Sequence, residues 1–158
     1  MLTHTERQEA LALMRSSADD IAAAVNGLTP TQLTTRYIPT EWTVAQNVHH
    51  MPDSHAVMMT NVRLALTEER PTWKGYSVDG LADLADAKAA EISVSLELFR
   101  LMQLRIVSLF ESLSEEQFAR TGIASWGERS VDDLLRIYAG HAQSHVKQIA
   151  DTLAAAQK

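Results

Sequence analysis

Apolar residues recur along this chain at three- and four-residue intervals with polar residues between them, a pattern that reads mainly as amphipathic helix. Leu11, Leu13, Met14, Ile21 and Val25 mark a first helix, predicted from about Thr5 to Asn26, with Thr3 or Thr5 as N-cap and Gly27 just past its end. A connection containing Pro30 and Pro39 follows, with room for one short turn of helix after Thr29. Val44, Val48, Met51, Met58, Val62 and Leu66 then form the stripe of a second helix, from an N-cap near Thr43 to about Glu68. Pro52 lies inside it. A proline there removes a backbone hydrogen bond and crowds the carbonyl of Val48. The stripe keeps its phase across Pro52, so the pattern predicts a kink rather than two helices.

The stretch from Arg70 to Asp86 holds Pro71, Gly75 and Gly80 and is expected to be mostly irregular. A third helix is predicted over roughly Lys88 to Ser112, with Leu96, Leu98, Phe99, Met102, Ile106 and Phe110 facing inward. A turn at Ser114 to Glu116 and a loop around Trp126 and Gly127 lead to a fourth helix, about Ser130 to Ala155. Ser130 caps it, and Asp132 and Asp133 complement the positive end of its dipole. Its core stripe is Val131, Leu135, Tyr138, Ala142, Val146, Ile149 and Leu153. The expected fold is an all-α four-helix bundle forming one domain over residues 1–158. Its connections are long enough for helices that are not consecutive to pair.

Composition narrows the function classes. A chain of 158 residues buries enough surface to fold without a disulfide or a metal. The net charge of -6 argues against a nucleic-acid partner, which would need a basic face. There is no cysteine, so disulfides, thiolate-bound zinc and an internal thiol nucleophile are excluded, and thiol chemistry would need an external thiol. The N-terminal residues lack the order of a secretion signal, and no apolar run reaches membrane-spanning length. A cytoplasmic location without membrane attachment is expected.

The candidate chemistry lies in the histidines. His141 and His145 are four residues apart, which puts them on one helix face about a turn apart, beside the core stripe. Two imidazoles so placed are equally well read as a metal-ligand pair or as hydrogen-bonded edge residues. Upstream, His55 falls inside the second helix's stripe and reads as a core histidine, and His49 points away. His50 sits beside the stripe and is the better third ligand. Asp53, one turn after His50, is a candidate catalytic residue, as an imidazole-orienting partner or a proton acceptor, although an exposed acid is the simpler reading.

The run Glu41-Trp42-Thr43-Val44-Ala45-Gln46-Asn47-Val48-His49-His50-Met51-Pro52-Asp53-Ser54-His55 resembles the signature of DinB-like proteins, in particular their YfiT-type branch. The similarity continues through Arg63 to Glu68, Ser95-Leu96 and Ser112 to Phe118, and closes with Tyr138-Ala139-Gly140-His141-Ala142-Gln143-Ser144-His145. This resemblance implies a DinB-type bundle with a divalent ion such as zinc or nickel held by His50, His141 and His145, and a homodimer. It implies a small-molecule substrate and an enzyme that uses a low-molecular-weight thiol (bacillithiol, mycothiol or glutathione) as an S-transferase. A metal-dependent hydrolase of amides or esters and a non-catalytic, stress-linked metal-binding protein are the alternatives. Pro52, Ile106 and Ser144 depart from the family pattern; they spare the three ligands but bear on substrate choice.

Overall fold

The computed structural model describes residues 1–157. Four long helical segments form the bundle: α1 (His4–Val25), α3 (Val44–Thr67), α5 (Ser93–Glu111) and the pair α7 (Val131–Ala139) and α8 (His141–Ala155). Short helices α2 (Pro30–Thr34), α4 (Val78–Ala82) and α6 (Glu115–Phe118) and a 3-10 turn at Asp86–Lys88 occupy the connections. Strands β1 (Thr121–Ala124) and β2 (Gly127–Ser130) pair antiparallel into a hairpin, with Thr121 opposite Ser130.

The helix starts follow from local chemistry. Thr3, Thr29, Thr43, Ser114 and Ser130 each accept from the backbone N–H three residues on. The residue there, Glu6, Gln32, Gln46, Gln117 or Asp133, reaches back to the cap N–H. α1 and α3 therefore begin within a residue of their predicted positions. α3 runs unbroken through the buried Pro52, as the phase of its stripe requires. α5 begins at Ser93 rather than near Lys88, because Lys88 belongs to the separate 3-10 turn.

Two larger expectations also need correction. The predicted fourth helix is two: α7 ends at Gly140, whose backbone (φ -92°, ψ 0°) drifts from helical values, and α8 restarts at His141. Glycine is the residue that least resists such a break. The predicted tryptophan loop is the turn of the β hairpin, which is anchored on its other edge. Trp73 N–H donates to the Ile123 carbonyl (2.8 Å) and Ile123 N–H to that of Pro71 (2.9 Å). The buried Trp73 indole lies directly on Gly122, where any Cβ would overlap it.

α1 packs against α5 and α7/α8, and α3 packs against the same two, so the consecutive long helices α1 and α3 lie diagonally across the bundle. The core divides into two apolar clusters. One contains Leu11, Met14, Met58, Val62, Ile106, Phe110 and Leu135. The other contains Ile21, Val25, Val44, Val48, Met51, Phe99, Ala142 and Ile149. Each large buried side chain contributes roughly 1.5–3 kcal/mol over its exposed state. Leu98, expected to face inward, is exposed, and so is Leu13. Among the described residues, no helix is long and apolar enough to cross a membrane.

Candidate metal centre

α3 and α8 are neighbours, and their contact brings His50 to His141 and His145. His50 Nε2 lies 3.4 Å from His141 Nε2, which is 3.2 Å from His145 Nε2. One ligand atom from each residue falls within 4.8 Å of the others, and among the described residues no carboxylate joins the group. Nitrogens bound tetrahedrally at 2.0–2.1 Å from a zinc-sized ion would stand about 3.4 Å apart. The spacing fits.

The protonation states fit as well. Burial pushes His50 and His145 down to about 4 and His141 to about 2, from 6.5; the neighbouring imidazoles add to the effect for His50 and His141. At neutral pH all three rings are therefore uncharged, the form in which imidazole donates a lone pair to a metal.

Tautomers are dictated by neighbours. Asn47 donates its amide N–H to the Thr43 carbonyl (3.0 Å), which turns its oxygen toward His145. That oxygen accepts from His145 Nδ1–H at 2.7 Å and leaves the Nε2 lone pair facing the cluster. A partner on the far ring nitrogen is the usual way a ligating histidine is aimed. Trp42, just before α3, adds aromatic packing: its ring stacks on His145 (centroids 6.1 Å apart) and meets His50 at an edge (5.0 Å). Its indole N–H donates to Asp79 (3.1 Å). Gln46, besides capping α3, donates to the Ala82 carbonyl (2.6 Å) and so holds α4 beside the site.

The three histidines open onto a cleft of about 460 Å³. Trp42, Tyr76, Val78, Ile137 and Tyr138 supply its apolar and aromatic walls, and Ser54, Gln148, Glu41 and Asp79 its polar ones; among the described residues, no lysine or arginine lines it. Burial raises the phenols of Tyr76 and Tyr138 above their usual range, so both stay protonated hydrogen-bond donors at neutral pH.

The remaining candidates fall elsewhere. Asp53 is exposed, does not line the cleft and hydrogen-bonds to no histidine; the imidazole-orienting bond expected of it is made by Asn47. Partial covering of its carboxyl, with Asp86 nearby, raises it, and His49 opposes the shift. His49 is not a free surface residue. Its Nε2–H donates to the Ala89 carbonyl (3.1 Å) and its Nδ1 accepts from Ser95 (2.7 Å), fastening α3 to the segment before α5. His55 is fully buried, against Phe99, Tyr138 and His141. Asn47, Tyr76 and Gln148 were not singled out from the sequence. For Asn47 a signal existed, since it stands three residues before His50 and so shares its helix face.

A bundle with this diagonal arrangement and an inward trio of histidines defines a class, and the chain belongs to it: it is a member of the DinB superfamily, whose family model matches residues 8–149. It is 37% identical over 149 residues to a protein of Geobacillus kaustophilus provisionally named a metal-dependent hydrolase, a match covering 92% of this chain and 83% of the relative. It is 34% identical over 131 residues to YfiT of Bacillus subtilis, provisionally named in the same way, covering 81% and 73% respectively. The solved structure of YfiT, described as a probable metal-dependent hydrolase with an unusual four-helix bundle topology, superposes with a TM-score of 0.92 at 28% identity. That match covers 96% of this chain and 88% of YfiT.

Proposed function

We propose that this protein is a metal-dependent enzyme in which His50, His141 and His145 hold a divalent ion, and that it transfers a low-molecular-weight thiol to an electrophile. When bound, such an ion keeps an open position and lowers the pKa of a thiol or water placed there. The protein's own residues do the rest. Asn47 fixes the direction of His145. Trp42, Tyr76, Val78, Ile137 and Tyr138 enclose the substrate and exclude water from its reacting end. The protonated phenol of Tyr76 donates a hydrogen bond to charge that develops on the electrophile, and that of Tyr138, held only weakly by the Ser54 carbonyl (3.5 Å), turns to join it.

The observation that carries the reading is the trio of neutral imidazoles that lines the cleft and that, among the described residues, no carboxylate joins. Hydrolysis of an amide profits from an acid–base group beside the nucleophile, to take its proton and pass it to the leaving amine. The carboxylates that line the cleft, Glu41 and Asp79, are exposed, and Asp79 is engaged with Trp42. A thiolate needs no such base once ionised. With no cysteine in the chain, the thiol is a co-substrate. A hydrolase is the second reading, favoured by the names of the relatives and by the two phenols as proton donors.

Protein purified without chelators is expected to carry near one equivalent of a divalent metal, zinc or nickel. It is expected to accelerate the reaction of an added thiol with an electrophile such as monobromobimane, in which the S–C bond forms as bromide leaves, above the rate of the same mixture without protein, and to leave the electrophile untouched when no thiol is present. Turnover of esters or amides without thiol would replace the transferase by the hydrolase. Bound metal with neither activity would leave a metal-binding protein.

A further inference from the structure

The two apolar core clusters are separated by a polar layer. Met14, Met58, Ile106 and Ala139 belong to one cluster, and Ala18, Met51, Phe99 and Ala142 to the other. Between them in sequence, on the four helices of the bundle, stand Ser17 on α1, His55 on α3, Gln103 on α5 and His141 on α8. Ser17, His55 and Gln103 are almost fully buried, at 1%, 0% and 3% exposure. None of the three lines the cleft.

Their hydrogen bonds have only one self-consistent direction toward a metal-ready His141. The Ser17 hydroxyl donates to the Met14 carbonyl (2.8 Å), and a carbonyl can only accept. With its proton so used, Ser17 Oγ accepts from the Gln103 amide N–H, to which it is hydrogen-bonded. The oxygen of Gln103 is thereby turned away from Ser17, and the Gln103 side chain stands beside His55. Among the described residues, His55 Nδ1 and Gln103 Oε1 are both buried and neither makes a hydrogen bond; the two are complementary, one able to donate and the other to accept, so a small turn of the Gln103 amide would join them. A proton on His55 Nδ1 leaves its Nε2 as an acceptor, and that atom lies 3.3 Å from His141 Nδ1. His141 then carries its proton on Nδ1, and its Nε2 lone pair faces His50 and His145.

The geometry points to Ser17, Gln103 and His55 as positioning residues that set the tautomer of His141 from inside the core. The chain deepens the ligand assignment made above and rests on it. Asn47 does the same for His145 from the other side. Reversed, with the Gln103 amide turned over, the chain would make His55 Nδ1 an acceptor and place the proton of His141 on Nε2, where no ion could bind.

The test reads tautomers and metal affinity separately. Two-bond nitrogen–proton correlation spectra of the metal-free, 15N-labelled protein are expected to show Nδ1–H on His55 and His141. Gln103→Leu removes the acceptor and should erase that preference. Zinc affinity, measured by competition with a chelating dye, should fall about 10–100-fold, the usual loss when a partner of a ligating histidine is removed. Gln103→Glu, which still accepts from His55, should keep both properties close to wild type. Ser17→Ala frees the amide to turn over and should shift both in the same direction by less. If Gln103→Leu does not fold, Ser17→Ala decides. An Nε2–H tautomer at His141 in the wild type overturns the proposal, as do unchanged tautomers and affinity in every variant that folds. Wild-type protein with the expected tautomers and no zinc affinity upholds the chain and overturns the ligand assignment instead.

Discussion

Asn47 and His145 meet across the interface of α3 and α8, the amide oxygen accepting from Nδ1 at 2.7 Å. One hydrogen bond thus connects the capped first turn of α3 to a ring that opens on the cleft. Asn47→Ala is expected to weaken metal binding about 10–100-fold, while Asn47→Asp, which keeps an acceptor, should lose far less. Chelator competition with both variants checks this; equal affinities would remove Asn47 from the site.

The histidines should divide sharply. His50→Ala, His141→Ala and His145→Ala should each abolish stoichiometric metal. His49→Ala should keep it, since both nitrogens of His49 are engaged by Ser95 and Ala89. Metal content of the four purified variants is the measurement. Retention by any of the first three contradicts the ligand assignment.

Stability of the metal-free protein should depend on pH through the same rings. Burial lowers His50 and His145 to about 4, His55 to about 3 and His141 to about 2, from 6.5. The unfolded chain takes up protons below about pH 6.5, while the folded chain refuses them until far lower pH, so stability falls as pH falls. Each imidazole contributes a slope approaching about 1.4 kcal/mol per pH unit once pH is well below 6.5. Denaturation midpoints in chelator should therefore drop between pH 7 and pH 5.5 and stay level in this respect above pH 7.5. A profile flat down to pH 5 would mean that the rings are not held neutral.

Arg7 anchors the start of α1. It is buried, its guanidinium 2.8 Å from the buried Asp132 and stacked 4.1 Å from the Phe118 centroid, with the exposed Glu115 on its other side. Arg7→Ala leaves Asp132 buried without its ion partner, and a loss of about 3 kcal/mol is expected, within the range for a broken buried pair. Thermal unfolding measures it, and metal stoichiometry at low temperature should be unchanged.

Gly122→Ala tests the hairpin. The added methyl would overlap the Trp73 indole, so strand and tryptophan must separate, at a cost of roughly 1–3 kcal/mol. Increased Trp73 solvent exposure, read by fluorescence quenching against a Trp42→Phe, Trp126→Phe background that leaves Trp73 as the sole tryptophan, accompanies the expected drop in Tm.

Much of the fold was legible because its helices carry their own boundaries. Thr3 with Glu6 and Thr43 with Gln46 mark the starts of α1 and α3 in the residues themselves. The start of α5 was misplaced because Ile92 offers no side-chain cap. The hairpin was missed because its turn, Ser125-Trp126, lacks the usual glycine–asparagine chemistry; its stability comes from Pro71 and Trp73, some 50 residues earlier. His50, His141 and His145 were visible because helical spacing alone puts each beside a core stripe. Asn47 becomes informative only once α8 lies against α3, and Tyr76 only once its loop folds over the cleft. His55 was read as an ordinary core residue, since nothing local announces that its neighbours on α1 and α5 are polar.

His50 and His141 are 91 positions apart and reach each other only when α3 and α8 have docked. An ion gripped by both closes a loop of that length, and a clip across a long loop withdraws much freedom from the unfolded chain. This chain has no cysteine with which to make a covalent staple. The ion would take that part as a reversible cross-link, insensitive to reductant and opened by a chelator, so that loss of metal would loosen the whole bundle along with the reaction it serves.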